Sequence, residues 1–304
     1  MDIRKTYKVA GHLFSIEMPL GCFLWERMKM SYGPFEVVSE NENDNIFSLK
    51  VSDETRAEDV SLVYSNREDV ESGFVTMEVY TTPHGHYFEL TQPGSQVVNS
   101  CLYMTDDFRN ASVTLKGSPI EQWLIFNTSV DFCFLLSTAS RNTLLTHASS
   151  VIYKGKAYLF LGKSGTGKST HSRMWQTALE GVELMNDDHP VIRVDDDGNV
   201  FAYGSPWSGK TPCYKNISAP LGGVIRISRA NHNKVVRLAP IMAYASFMTS
   251  CSGMTWDEEQ ANGRDRTMQT VIRTVPFWVM ECLPDEDAAI VCCEAVSKVW
   301  EDQE

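Results

Sequence analysis

Apolar and polar positions alternate in short runs along the first third of the chain. Residues 7–18, 47–51, 74–80, 87–90 and 111–115 carry the two-residue period of half-buried strands, with turn residues between them. They predict a β-rich unit over residues 1–116. The link Thr81-Thr82-Pro83-His84-Gly85-His86 reads as a hairpin loop, because its two histidines lack a third metal ligand nearby.

The pattern changes at Lys116-Gly117-Ser118-Pro119. Ser118 with Glu121 three residues later forms a capping box, Pro119 suits the first helical position, and the apolar run that follows predicts a long helix. Next come a hairpin around Lys154-Gly155-Lys156, a strand at 157–161, a glycine loop, a helix at 168–180 and a strand at 182–185. Further helices are expected at 239–248, near 265–273 and after Asp285, with a strand at 277–282. Residues 117–304 therefore read as an α/β domain that opens with the capped helix. Asp195-Asp196-Asp197-Gly198-Asn199 lacks calcium-loop spacing and predicts a hairpin turn with Gly198 at positive φ.

Composition narrows the partners. A net charge of −12, from 27 Lys+Arg against 39 Asp+Glu, has the wrong sign for tracking nucleic acid. Asn127 and Asp131 interrupt the most apolar run, so no membrane span is expected. The opening Met1-Asp2-Ile3-Arg4-Lys5 has no signal-peptide character, and the expected location is the cytoplasm. The eight cysteines form no C-x-x-C pair, and Cys133, Cys251, Cys282, Cys292 and Cys293 sit in apolar stretches as small hydrophobes.

The chemistry begins at Gly162-Lys163-Ser164-Gly165-Thr166-Gly167-Lys168-Ser169, which fits G-x-x-x-x-G-K-[ST] between an apolar strand and a helix. Loop and helix N–H groups would converge on phosphate oxygens, Lys168 would reach the β and γ oxygens, and the Ser169 hydroxyl would ligate Mg2+. Lys163 and Thr170 read either as binding residues or as solvated side chains. Asn186-Asp187-Asp188-His189-Pro190 ends the next strand. If that strand runs parallel to the loop strand, both carboxylates reach the ligand-binding edge of the sheet, one for a metal and one for a proton; a turn is the plainer reading.

Ser164-Gly165-Thr166-Gly167-Lys168-Ser169-Thr170, followed by Asn186-Asp187-Asp188-His189 and preceded by Thr146-His147-Ala148-Ser149-Ser150, resembles the nucleotide-binding core shared by HPr kinase/phosphorylase and ATP-dependent phosphoenolpyruvate carboxykinase. The likeness covers roughly residues 140–215 and weakens over the last ninety. It implies an α/β fold, a P-loop HPr-kinase/PEP-carboxykinase-like C-terminal domain behind the β-rich N-terminal one. It also implies ATP as phosphoryl donor, Mg2+ or Mn2+ as metal, Asp187 as metal ligand, Asp188 as base and His147 against the carboxylates or the metal. Without it, His147 reads as a structural histidine.

Two departures narrow the resemblance. Residues 120–140 hold no lysine, although the carboxykinases place a metal-ligating lysine upstream of the histidine. The Arg-Gly-Leu-Gly-Ile type signature of HPr kinases is absent, Pro220-Leu221-Gly222-Gly223-Val224-Ile225 being the nearest stretch. What remains resembles the shorter HPr-kinase-like proteins and implies a hydroxyl acceptor, a serine of a peptide, protein or small molecule. A noncatalytic ATP sensor and a small carboxykinase-like enzyme are the alternatives, and a homo-oligomer is compatible with the sequence. The stretch Ser205 to Cys213 reads as a lid or acceptor-recognition loop presenting an exposed Trp207 and Lys210, or as a stiff connector.

Overall fold

The computed structural model describes residues 1–38, 42–53, 58–67, 75–92, 94–95, 98, 100–209 and 211–301. Phe74 and Lys210 therefore lie outside the described residues. The protein is mixed α/β, with two large sheets and six α-helices among the described residues. It divides into two compact units: Met1–Thr138 with Met254–Glu258, and Ala139–Gly253 with Glu259–Glu304.

In the first unit the expected 7–18 run is two strands, β1 (Asp2–Val9) and β2 (His12–Pro19), reversed at Ala10-Gly11. The chain continues through α1 (Leu24–Ser31), β3 (Glu36–Val37), β4 (Asn45–Val51), β5 (Ser61–Ser65), β6 (Thr76–Thr82), β7 (Gly85–Thr91), β8 (Ser100–Thr105) and β9 (Asn110–Leu115). These strands form one sheet, ordered β3-β1-β2-β4-β9-β8-β7-β6-β5. Its alternation buries Phe14, Phe47, Phe88 and Val113. The His-x-His link is the β6–β7 hairpin, and His86 stacks on Phe108 at 5.0 Å between ring centroids.

α2 (Pro119–Thr138) starts at the expected capping box: the Ser118 N–H donates to Glu121 Oε2 at 2.6 Å and the Glu121 N–H donates to Ser118 Oγ at 3.4 Å. It corrects the boundary expected at 116/117, because this helix belongs to the first unit and the division falls after Thr138. The physical reason is burial. α2 packs on β4 and β9, with Phe126, Val130 and Phe134 fully buried and Phe134 edge-on to Phe14 at 6.2 Å. Each such side chain contributes about 1.5–3 kcal/mol by leaving water, which ties the helix to the sheet it follows.

The second unit opens with β10 (Thr143–Leu145), β11 (Ala148–Tyr153) and β12 (Lys156–Leu161), the last two paired across the expected Lys154-Gly155 turn. α3 (Lys168–Ala178), β13 (Glu183–Asp188), β14 (Val191–Val194), β15 (Val200–Tyr203), β16 (Ser218–Arg229) and β17 (Lys234–Arg237) follow. α4 (Pro240–Met248), α5 (Glu258–Thr274), β18 (Phe277–Cys282) and α6 (Glu286–Glu301) complete the unit. The β14–β15 turn carries Gly198 at φ 84°, the left-handed conformation expected there.

The strand order is β10-β14-β15-β16-β12-β11-β13, with β18 on β16 and β17 on β18. Successive residues of β12 serve opposite faces. Ala157, Leu159 and Leu161 pack with Phe247 of α4 and Met268 and Val271 of α5. Tyr158 and Phe160 pack with Trp175 of α3 and Ala288, Cys292 and Val296 of α6. A strand covered on both sides has no solvent face, which is why this stretch reads as a continuous apolar run. The five cysteines expected to be small hydrophobes are buried. Among the described residues, no helix is long and apolar enough to cross a membrane.

Candidate functional site

Strand direction assembles the site. β12 pairs with β16 in parallel, β16 with β18 in parallel, and β11 lies antiparallel to both β12 and β13. β12, β13, β16 and β18 thus end at one edge of the sheet. The 182–185 strand runs in the direction of the loop strand, with β11 interposed, which meets the condition set on the aspartates, and it extends through both of them. They are strand residues, not a turn: Asp187 pairs with Ser149 and Asp188 with Ala148. Ala148 also pairs with Leu161 on its other side, so His147, one residue earlier, arrives between the glycine loop and the carboxylates.

The loop after β12 depends on glycine at two turns, Gly165 at φ 75° and Gly167 at φ 112°, where a Cβ would be strained. Gly167 leads directly into α3, whose first N–H groups have no helical acceptor. Lys168 is only 9% exposed, and its ammonium donates to the Gly162 carbonyl at 2.9 Å. Burial pulls the Lys168 pKa down, opposed by the carboxylates of Asp188 and Asp187. Thr166 Oγ1 donates to the Lys163 carbonyl at 2.8 Å, and Arg229 at the end of β16 donates to the carbonyls of Gly165 and Thr166. The side chains of Lys163, Ser164, Ser169 and Thr170 are exposed around this helix start.

Across the edge, His147 Nδ1 lies 3.4 Å from Asp188 Oδ1, and His189 Nε2 lies 3.9 Å from Asp188 Oδ2. Asp188 has φ 147°, a conformation that L residues rarely adopt and that concentrates at functional sites. Burial lowers the His147 pKa, the Lys168 charge lowers it further, and Asp188 opposes both. A neutral imidazole is the ligand form of histidine. His147, Asp188 and His189 offer ligand atoms that lie within 4.8 Å of one another, a set with the chemistry of a divalent transition-metal site. Asp187, 4% exposed, is more deeply buried than this trio.

The Ser205 to Cys213 stretch departs from the expectation of an exposed lid. Trp207 is 3% exposed. Its N–H donates to Ser205 Oγ at 3.2 Å, and its carbonyl accepts from Asn186 Nδ2 at 3.0 Å. The described part of the stretch also lies along the outer edge of β13. The Gly209 N–H and Ser208 Oγ donate to the Asp187 carbonyl at 2.7 and 3.2 Å, and Lys215 Nζ donates to the Leu184 carbonyl at 2.8 Å. An uncovered strand edge is a row of unmet backbone groups, and Ser208, Gly209 and Lys215 meet two of its carbonyls, those of Asp187 and Leu184. Trp207 therefore packs where an acceptor-contacting residue was expected, and Lys210 lies outside the described residues.

The structure thus brings together His147, Lys168, Asp187 and Asp188, with Ser169 and Thr170 beside them on the first turn of α3. One residue at this edge, Arg229, gave no signal in the sequence reading, while Asn186 and His189 stood in the quoted motif with no role assigned to them and His171 carried none. Arg229 is distant in sequence from the loop it holds, and nothing local marks it. His171 is fully buried on α3 and accepts a hydrogen bond from Trp175 Nε1 at 3.1 Å. Burial lowers its pKa to about 4. No model of a known protein family matches the chain, and no curated protein matches it.

Proposed function

We propose that the protein is an ATP- and Mg2+-dependent phosphotransferase that moves the γ-phosphoryl group to a hydroxyl, with serine of a peptide, protein or small molecule as the acceptor class. One observation carries this reading. A buried ammonium, Lys168, lies between a glycine loop at a helix start and two carboxylates on a parallel strand end. The loop and α3 N–H groups would take the phosphates, with Lys168 turning from the Gly162 carbonyl toward the β and γ oxygens. Ser169 and Asp187 would hold Mg2+ or Mn2+, since hydroxyl and carboxylate oxygens are the donors such ions prefer. The ion supplies charge neutralisation at the phosphate oxygens.

Asp188 takes the proton from the acceptor hydroxyl as its oxygen bonds to the γ-phosphorus. The bond from that phosphorus to the bridging oxygen breaks, and ADP leaves with the electron pair. His147, against Asp188 Oδ1, orients that carboxylate.

The sensor alternative has a nucleotide order the Ser205 to Cys213 stretch. The described part of that stretch is already tied to β13, through Asn186 to Ser205 and Trp207 and through Ser208 to the Asp187 carbonyl, which favours the catalytic reading. The carboxykinase alternative needs a lysine that residues 120–140 do not contain. The test is ADP release with Mg2+ and ATP, with and without serine, serine peptides and a cytosolic extract, beside Lys168→Ala. Release that depends on acceptor and vanishes in the variant supports the kinase. Tight ATP binding with no release under any condition selects the sensor.

A further inference from the structure

The donors at the carboxylate edge change character within one residue. The proposed function gives Mg2+ the hydroxyl of Ser169 and the carboxylate of Asp187, both oxygen donors. One position on, His147, Asp188 and His189 offer two imidazole nitrogens and a carboxylate oxygen. Among the described residues they are the one group of three or more His, Cys, Asp or Glu side chains close enough to share an ion. His147 Nδ1 lies 3.4 Å from Asp188 Oδ1, His189 Nε2 lies 3.9 Å from Asp188 Oδ2, and one ligand atom of each residue lies within 4.8 Å of the other two. Four ligands at about 2.0–2.2 Å from a tetrahedral ion stand about 3.3–3.6 Å apart. Small side-chain rotations therefore close the trio on such an ion.

The backbone holds the trio in place. Neighbouring residues of a strand send their side chains to opposite faces, yet Asp188 and His189 both come to His147. Asp188, at φ 147° on the last position of β13, is where the alternation breaks, and a conformation so strained persists only where its surroundings fix it. Here the His189 N–H donates to Asn186 Oδ1 at 2.9 Å, the His189 carbonyl accepts from Ser205 Oγ at 2.6 Å, and the His147 N–H donates to the Ser250 carbonyl at 2.7 Å. The three side chains are between 25% and 35% exposed, so an ion held by them keeps an open position toward solvent. Imidazole nitrogen suits Zn2+ and its transition-metal neighbours, whereas Mg2+ favours oxygen. The Lys168 charge opposes a cation here, and the carboxylates of Asp187 and Asp188 outweigh it.

We propose that His147, Asp188 and His189 form a transition-ion site, for Zn2+ above all, separate from the Mg2+ site, and that its occupation silences phosphoryl transfer. The silencing rests on the proposed function, in which Asp188 takes the acceptor proton. An ion on Asp188 holds the carboxylate ionised and occupies the lone pair that would take that proton. The glycine loop and Lys168 supply none of the three ligands, so ATP still binds. Zinc and the acceptor proton thus compete for one carboxylate.

The test uses the whole chain, stripped with a chelator, and Co2+ as a spectroscopic stand-in for Zn2+. The wild type should bind Co2+ with the intense visible absorption of a low-coordinate site, keep it in excess Mg2+ and lose it to Zn2+. His189→Gln should weaken Co2+ binding about tenfold or more. His232→Gln, at an exposed histidine of the same unit, should leave it unchanged. In ADP release with Mg2+ and ATP, stoichiometric Zn2+ should cut wild-type turnover about 100-fold or more, the effect of losing a general base. His189→Gln should lose little of its own turnover to the same Zn2+. Absence of the cobalt band in the wild type, or equal Co2+ affinity in wild type and His189→Gln, overturns the site. Zinc that binds the wild type without slowing turnover overturns the silencing. A protein that releases no ADP before Zn2+ is added, whatever the acceptor, overturns the proposed function and the silencing with it, while the cobalt spectrum still decides the ion site.

Discussion

The Asn186 side-chain amide donates to the Trp207 carbonyl at 3.0 Å while its Oδ1 accepts from the His189 N–H at 2.9 Å. One fully buried side chain thereby joins the strand that ends in Asp187 and Asp188 to the loop that covers it. Asn186→Leu leaves the His189 N–H unmet and the Trp207 carbonyl with Ser205 Oγ at 3.0 Å as its remaining donor, at about 1–3 kcal/mol for each group that stays buried and unmet. The expected outcome is a loss of at least about 2 kcal/mol in urea unfolding. A variant as stable as the wild type would show that the network contributes nothing net.

Lys168→Met keeps the length of the side chain and deletes its charge. Turnover of ATP should fall about 100-fold or more, the usual effect of removing one electrostatic contact from a transition state. Circular dichroism should show an unchanged fold. Wild-type turnover by a folded Lys168→Met protein would remove the glycine loop from the chemistry.

Asp188→Asn separates the proton acceptor from the proposed metal ligand. Loss of a general base costs about 10²–10⁴-fold in rate. ATP should still bind, whereas Asp187→Asn should raise the Mg2+ concentration needed for half-maximal activity. Full-rate transfer by Asp188→Asn would sink the assignment of the base.

Acid should weaken the second unit through His171. Its folded-state pKa is about 4 against an ordinary value of 6.5, so the unfolded chain takes the proton first as pH falls. This stability is fully present above pH 6.5 and drains away as pH falls toward 4, by at most about 3 kcal/mol. The difference in unfolding free energy between wild type and His171→Leu, followed over that window, isolates the contribution. A difference that does not change with pH would contradict it.

Legibility of the fold followed the range of the interactions. The glycine loop, the capping box of α2, the β11–β12 hairpin and the Gly198 turn are each set by residues within a few positions of one another, and each stands where the sequence predicts it. The two aspartates were legible as a pair, and their arrival beside His147 follows from the Ala148 register. Trp207 was not legible. Its neighbours Ser205, Pro206, Ser208 and Gly209 have the composition of a solvated loop, and the buried amide that receives it lies on a distant strand. The allegiance of α2 was hidden for a similar reason: an apolar helix between two domains can cover either, and packing on β4 and β9 decides. Arg229 acquires meaning only from strand order, which brings the end of β16 to the glycine loop.

β13 is the outermost strand of its sheet on this side, held by β11 on one flank and on the other by the described part of the Ser205 to Cys213 stretch and by Lys215. The acidic half of the site therefore sits on an element with one strand neighbour among the described residues, while the glycine loop follows β12, which has two. Backbone amides of β13 and its covering loop should exchange with deuterium as one cooperative opening unit, ahead of β12. Such an opening would dismantle the proposed proton acceptor while leaving the glycine loop intact, which under the proposed function is a state that retains nucleotide without turning it over.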